Sequence, residues 1–203
     1  MAIIQRDSRW ENILKTSISA PPESSEAGGF IKLYVGLGNV GKSYAGTRHN
    51  AGFIAIDELR TRLKLPDWQE KPKFSGLVSE GFIDGKKIIL LKPSTMMNLS
   101  GQSVLAVANF YKIDPIDITI FHDELDLPFG EVKLKNGGKG DTSHNGLKDV
   151  ASRLNSTNFV RIRIGINQNQ REIIDSADFV LVRFSSQEEK QLPEIINKAL
   201  SLI

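Results

Sequence analysis

The chain has 203 residues and only three histidines, and each stands beside an amide or a carboxylate: Arg48-His49-Asn50, Phe121-His122-Asp123 and Ser143-His144-Asn145. Imidazole titrates near neutrality, so a histidine oriented by a carboxylate is suited to moving protons. Asp123 closes the apolar run Ile118-Thr119-Ile120-Phe121, at the strand end where α/β proteins gather ligand groups. Alternation turns His122 to the opposite sheet face, so Asp123 outranks it. Asparagines stand where packing does not ask for them: Asn39 in a glycine turn, Asn98 before Leu99-Ser100-Gly101, and Asn145 before Gly146. Each has a structural alternative, since a lone histidine is commonly packed or solvated and Asn beside Gly is an ordinary turn or capping residue.

The absence of cysteine removes disulfides, thiolate zinc sites and a cysteine nucleophile. No apolar run approaches the roughly 20 residues that span a bilayer. The net charge of +2 announces no polyanion partner by itself, and local clusters decide. Lys133 and Lys135 alternate onto one face of a strand, and Arg161 and Arg163 do the same on another. Such a face can hold phosphates or be a solvated surface, and the charges alone fit either.

Gly36-Leu37-Gly38-Asn39-Val40-Gly41-Lys42-Ser43 satisfies the P-loop pattern, and its first six residues also satisfy the dinucleotide fingerprint. A P-loop requires its Lys-Ser end to open a helix whose N-H groups face the phosphates. The following Tyr44-Ala45-Gly46-Thr47-Arg48-His49-Asn50-Ala51-Gly52 lacks apolar periodicity and carries two glycines, which argues against helix there. The acid that a Rossmann unit needs at the end of its second strand is missing, because Asp57 and Glu58 fall inside a predicted helix. Magnesium-dependent nucleotide binding is the rival reading.

The elements that must position these residues alternate. Strands are predicted at Ile31–Val35, Phe74–Phe82, Lys87–Leu91, Ile116–Phe121, Glu131–Lys135, Phe159–Ile166 and Phe179–Phe184, from short apolar or alternating runs. Helices are predicted at Phe53–Leu65, Gly101–Tyr111, Gly146–Leu154 and Gln187–Leu202, the last opened by a capping box over Ser186-Gln187-Glu188-Glu189. This order predicts a single α/β domain over residues 30–203, with a twisted mixed sheet flanked by helices on both faces. Residues 1–29 contain Ala20-Pro21-Pro22-Glu23-Ser24-Ser25-Glu26-Ala27-Gly28-Gly29 and are expected to form a flexible extension. They hold three basic and four acidic residues, leaving 23 basic against 20 acidic in the body. The acids argue against a mitochondrial transit peptide, and a cytoplasmic place is expected with a mitochondrial one as alternative.

Gly36-Leu37-Gly38-Asn39, Tyr44 with Thr47-Arg48-His49-Asn50-Ala51-Gly52-Phe53, and Lys92-Pro93 through Met97-Asn98-Leu99-Ser100-Gly101 resemble the bacterial-type peptidyl-tRNA hydrolases in order and spacing. His122-Asp123-Glu124-Leu125-Asp126-Leu127-Pro128, Gly137-Gly138, His144-Asn145-Gly146-Leu147-Lys148 and Arg161-Ile162-Arg163-Ile164-Gly165 extend the resemblance from Ile31 to about Leu202. It implies an ester hydrolase without cofactor or metal, expected to be a monomer, acting on the acceptor end and 3' adenosine of peptidyl-tRNA. It implies that His49 is the base, oriented by Asp123, and that Asn39, Tyr44, Asn98, His144 and Asn145 bind substrate. On this reading water attacks the peptide–ribose ester, and the neutral amides pair with the carbonyl as it becomes an oxyanion or with the peptide. Lys133, Lys135 and Arg163 occupy positions that the family uses for tRNA. Val40 stands where the family has proline, and Asp141-Thr142-Ser143 where glycines are common, so the approach of His144 and Asn145 is less determined than that of His49. A non-catalytic RNA-binding protein of the same fold is the alternative from another class.

Overall fold

A computed structural model of the protein describes residues 30–138, 143–168 and 175–203. The extension at 1–29, and Asp141 and Thr142 of the departure from the family pattern, lie outside the described residues. Seven strands, β1 (Ile31–Gly36), β2 (Gln69–Lys71), β3 (Gly76–Ile83), β4 (Lys86–Pro93), β5 (Ile118–Pro128), β6 (Val132–Asn136) and β7 (Val160–Asn167), form one sheet in the order β2-β3-β4-β1-β5-β7-β6. The central strands β4, β1, β5 and β7 run parallel, while β2, β3 and β6 add antiparallel edges. The single-domain mixed α/β fold expected from the sequence is the one observed.

The helices are α1 (Ala51–Arg62), α2 (Ser100–Tyr111), α3 (Asn145–Leu154), α4 (Ser176–Phe179) and α5 (Ser186–Leu200). Strand side chains alternate into two apolar layers. Ile88 and Leu90 of β4, Phe121 of β5 and Ile162 and Ile164 of β7 pack with α1 and α5. Leu33 and Val35 of β1, Ile89 and Leu91 of β4 and Ile118 and Ile120 of β5 pack with α2 and α3. In α1, Ala51, Ala55, Ile56 and Leu59 recur at helical spacing and are buried, which seats that helix on the sheet. None of the described helices is long and apolar enough to cross a membrane.

Three local expectations need correction. The apolar run 179–184 is not a strand: α4 ends at Phe179, and the following residues make only an isolated bridge, Thr47 with Arg183. The edge of β7 is already taken by β6, so the backbone groups of this run pair instead with the loop before α1. β5 continues seven residues past Phe121, to Pro128. The capping box belongs to Ser185 with Glu188, one residue earlier than predicted. The short, largely exposed edge strand β2 was not predicted, because Gln69-Glu70-Lys71 carries no apolar alternation.

The segment after Gly41 is turn, not helix, and both Lys42 and Ser43 are exposed. The first helix begins only at Ala51, and Asp57 and Glu58 lie within it, so neither nucleotide fingerprint has its required context.

Candidate active site

β1 lies between β4 and β5, so the chain leaves it toward one side and later returns on the other. That switch of direction opens a crevice at the carboxyl ends of the parallel strands. The last β1 partner of β5 is Phe121, opposite Gly36. Asp123, two residues on, therefore stands just beyond the end of β1 although its own strand continues. His49 arrives from a single 3-10 turn, Arg48–Asn50, that leads into α1. The turn can sit this close because of Gly52, where a Cβ would collide with the carbonyl oxygens of Phe121 and Leu37.

His49 Nδ1 and Asp123 Oδ1 lie 2.9 Å apart. Asp123 is 3% exposed, and His49 is half-buried. An ionised carboxylate only accepts, so Nδ1 carries the proton and Nε2 keeps the lone pair. Burial pushes the imidazole toward neutrality, but the Asp123 charge and hydrogen bond outweigh it and raise the His49 pKa above its ordinary value. Burial likewise opposes ionisation of Asp123, yet the charges and hydrogen bonds of His49 and His144 hold its carboxyl well below the usual range.

His144 converges on the same oxygen, with Nε2 3.0 Å from Asp123 Oδ1. Its Nδ1 accepts the Leu147 N–H at 3.4 Å, so the ring also caps α3 and is the Nε2–H tautomer. His122 faces the α3 side, as alternation requires. Its ring lies 5.2 Å from that of His144, and its Nδ1 donates to the Asp123 carbonyl at 2.7 Å. His122 Nε2 is buried without a partner, and burial, then the neighbouring His144, pushes its pKa down to about 3. All three histidines therefore surround one aspartate. Among the described residues, the donor atoms of His49, Asp123 and His144 are the group that could hold a metal ion, lying within 4.8 Å of one another. Asp123 Oδ1 already accepts from both rings.

A cleft of about 250 Å³ opens here, walled by His49, Asp123, Glu124, His144, Asn145 and Asp175 among others. Asn39, Tyr44 and Asn98 lie outside that wall. Asn39 is tied to the histidine turn instead: its N–H donates to Asn50 Oδ1 at 2.8 Å, and Asn50 Nδ2 returns to the Asn39 carbonyl at 3.0 Å. Asn39 Oδ1 accepts the Met97 N–H at 3.2 Å, which places the Met97–Leu99 turn and the exposed Asn98 beside it. Tyr44 is half-buried, and its carbonyl accepts from the N–H and hydroxyl of Thr47. Asn145 is exposed at the first position of α3. Behind it, Gly146 leaves no room for a Cβ, which would meet Met97 Sδ at 2.7 Å.

Lys133 pairs with Arg163 and Lys135 with Arg161 across β6 and β7, so the four cations share one face at the sheet edge. Arg161 is buried, donating to the carbonyls of Gly137 and Gly138 at 2.7 and 3.1 Å. Arg163 reaches Glu124 at 2.9 Å, and Lys133 reaches Glu131 at 2.9 Å.

Sequence reasoning missed Arg48, Asn50, Glu188 and Asp175 as residues that shape the site. Asn50 and Arg48 flank His49 and were visible as polar neighbours. Nothing in the sequence joins Glu188 or Asp175 to them.

The peptidyl-tRNA hydrolase family model matches residues 33–203. The chain is 46% identical over 169 residues to a peptidyl-tRNA hydrolase of Fusobacterium nucleatum, covering 83% of this chain and 85% of that one. It is 45% identical over 172 residues to one of Geobacter metallireducens, covering 85% and 86%. The crystal structure of peptidyl-tRNA hydrolase from Acinetobacter baumannii superposes with a TM-score of 0.76 at 43% identity, covering 84% of this chain and 85% of that one. A family match across nearly the whole described domain, with relatives this similar over most of both lengths, means that the chain belongs to the peptidyl-tRNA hydrolase family.

Proposed function

We propose that this chain hydrolyses the ester between a peptide and the 3' adenosine of tRNA, releasing both, with His49 as the general base that activates water. The observation that carries this reading is the His49–Asp123 contact at the edge of a polar cleft. Asp123 fixes the proton on Nδ1 and leaves Nε2 to take a proton from water, and it stabilises the imidazolium that forms. Such general-base help is worth about 10² to 10⁴ in rate. Asn39, Asn98 and Asn145 supply uncharged N–H donors for the ester oxygen as it gains charge, and for the peptide itself. Asn39 fits this role because its Oδ1 is engaged by Met97, leaving Nδ2 as the group it can offer. Neutral amides suit an acylated nitrogen and match the ammonium of free aminoacyl-tRNA poorly, which gives a route to selectivity. Tyr44 borders the turn that delivers His49, and His144 acts through Asp123 as well as beside Asn145.

Base, carboxylate and amides complete the reaction without a metal. The bacterial relatives favour a cytoplasmic place, and the comparisons lend the mitochondrial alternative no support. The test is hydrolysis of N-blocked and free aminoacyl-tRNA by wild type and His49→Ala, with a chelator present. Turnover by wild type, preference for the blocked substrate, and loss of about 10² or more in His49→Ala are expected. Tight tRNA binding without turnover would instead favour a non-catalytic RNA binder.

A further inference from the structure

Arg48 adjoins the proposed base yet turns away from the cleft into the core, where it is 4% exposed. Its Nη2 meets both carboxylate oxygens of Glu188, at 2.8 and 2.9 Å, and its Nη1 donates to the carbonyls of Val182 and Arg183 at 3.2 and 2.7 Å. The guanidinium lies over the rings of Phe179 and Phe184, 4.7 and 5.5 Å from their centroids. Only Nε is buried without a partner. A buried ion pair is often no more stabilising than apolar residues of the same volume, because desolvation cancels the attraction. What a planar fork does supply is orientation, and here each of its hydrogen bonds and ring contacts ties the backbone around Arg48 to residues 179–188.

That backbone is the turn that carries His49. Arg48 N donates to the Val182 carbonyl at 3.1 Å, His49 N to the Val180 carbonyl at 2.8 Å, and Phe184 N to the Gly46 carbonyl at 3.0 Å. On the other side, Asn50 is locked to Asn39. Glu188 also accepts the Ser185 N–H at 2.6 Å, closing the capping box of α5. One carboxylate thus starts a helix and holds the histidine turn, and the same C-terminal segment contributes Asp175, Ser176, Ala177 and Val180 to the cleft wall.

We propose that the buried Arg48–Glu188 pair is a positioning device for the His49 imidazole, anchoring its turn to the C-terminal segment so that Nδ1 stays on Asp123. This deepens the base reading of His49 and rests on it. Misplacement of a catalytic group by about 1 Å can cost roughly 10²-fold, so Arg48→Lys, which keeps the charge but loses the fork, is expected to lower kcat about 10- to 100-fold with KM little changed. Glu188→Gln keeps one oxygen for the capping box but loses the charge and turns the other acceptor of the Arg48 fork into a donor, so it weakens the pair while sparing the cap. Ser185→Ala breaks the cap while leaving the Arg48 contacts, and is expected to lower Tm without lowering kcat.

The readout that a mere fold contact would not move is the titration of His49, followed by NMR and by the acid limb of kcat/KM. The groups facing His49 are Asp123 on β5, His144 at the start of α3, and Glu124 and Asp175 in the cleft wall. With the Asp123 contact loosened in Arg48→Lys and Glu188→Gln, both readouts should shift to lower pH. Wild-type kcat and titration in folded Arg48→Lys and Glu188→Gln, or equal loss of kcat in Ser185→Ala, would reduce the pair to a core contact. His49→Asn is assayed alongside. If it retains turnover, the base reading itself fails, whereas inactive His49→Asn with fully active Arg48→Lys removes only the positioning role.

Discussion

His49 Nδ1 and Asp123 Oδ1 are 2.9 Å apart although 74 residues separate them in the chain. The contact requires the glycine turn after β1, the collision-free approach at Gly52 and a β5 that outruns its neighbour, all at once. Asp123→Asn keeps the size of the side chain and loses its charge. It is expected to lower kcat by about 10² to 10⁴ while leaving the fold intact, as removal of the carboxylate from a histidine pair does elsewhere. Steady-state kinetics with a circular dichroism control measures this.

On the proposed mechanism the same pair sets the pH dependence of the reaction. As the proposed base His49 must be neutral to accept a proton, and its pKa is raised despite burial because Asp123 favours the imidazolium. The acid limb of kcat/KM is therefore expected above the ordinary histidine value of about 6.5, with activity falling as pH drops through it. In Asp123→Asn the charge is gone and burial prevails, so the limb should move below that value. A limb unmoved by the substitution would detach it from His49.

Stability is expected to peak near pH 6.5 as far as the site histidines govern it. His49, with a raised folded pKa, contributes stability that is complete below about 6.5 and lost as pH rises through the raised value. His122 runs the other way. The unfolded chain protonates it near 6.5, but the folded chain only at about 3, so stability is lost as pH falls from about 6.5 toward 3. Denaturant unfolding across this range should show His122→Gln losing less stability than wild type on the acid side. Parallel curves for the two proteins would show that His122 does not carry the effect.

The sheet was legible because its central strands are short apolar runs, and the α1, α2, α3 and α5 helices because their apolar spacing is regular. Positions 179–184 failed for the converse reason: the run carries strand-like apolarity, but Val180, Val182 and Phe184 hydrogen-bond to His49, Arg48 and Gly46, far away in the chain, which no local pattern encodes. His49, Asp123, Asn39 and Asn145 stood out as polar side chains that packing does not require. Their arrangement did not, because it depends on which strands neighbour β1. That two imidazoles share one oxygen of Asp123 is a consequence of the α3 N-terminus lying over the end of β5, which only the tertiary structure places there.

His144 is expected to be felt in stability and in titration together. His144→Ala removes the N-cap of α3 and one of the two donors on the buried Asp123 oxygen, a combined loss of about 1 to 3 kcal/mol. With less competition for that oxygen, Asp123 should hold His49 more strongly and raise its pKa further. Thermal unfolding and an NMR titration of His49 give the two numbers independently, and a lower His49 pKa in the variant would contradict the shared-acceptor account.

The basic edge of β6 and β7 separates binding from chemistry. If Lys133, Lys135 and Arg163 contact tRNA phosphates, neutralising each should raise KM and lower the slope of log affinity against log salt by about one. The three are not equivalent. Lys135→Gln sits away from the cleft and should change KM alone, whereas Lys133→Gln also frees Glu131 at the surface. Arg163→Gln releases Glu124 from its cation, so the cleft wall shared with His49 and Asp123 gains a carboxylate without that neutralising charge, still held by the Asp126 N–H. Its acid limb should move to higher pH and its kcat at neutral pH should fall, in addition to the rise in KM. Restoring neutrality at the cleft with Glu124→Gln in the Arg163→Gln background should return the limb and kcat while leaving KM high. A double variant that stays as slow as Arg163→Gln would mean that Arg163 acts on the chemistry by some route other than Glu124.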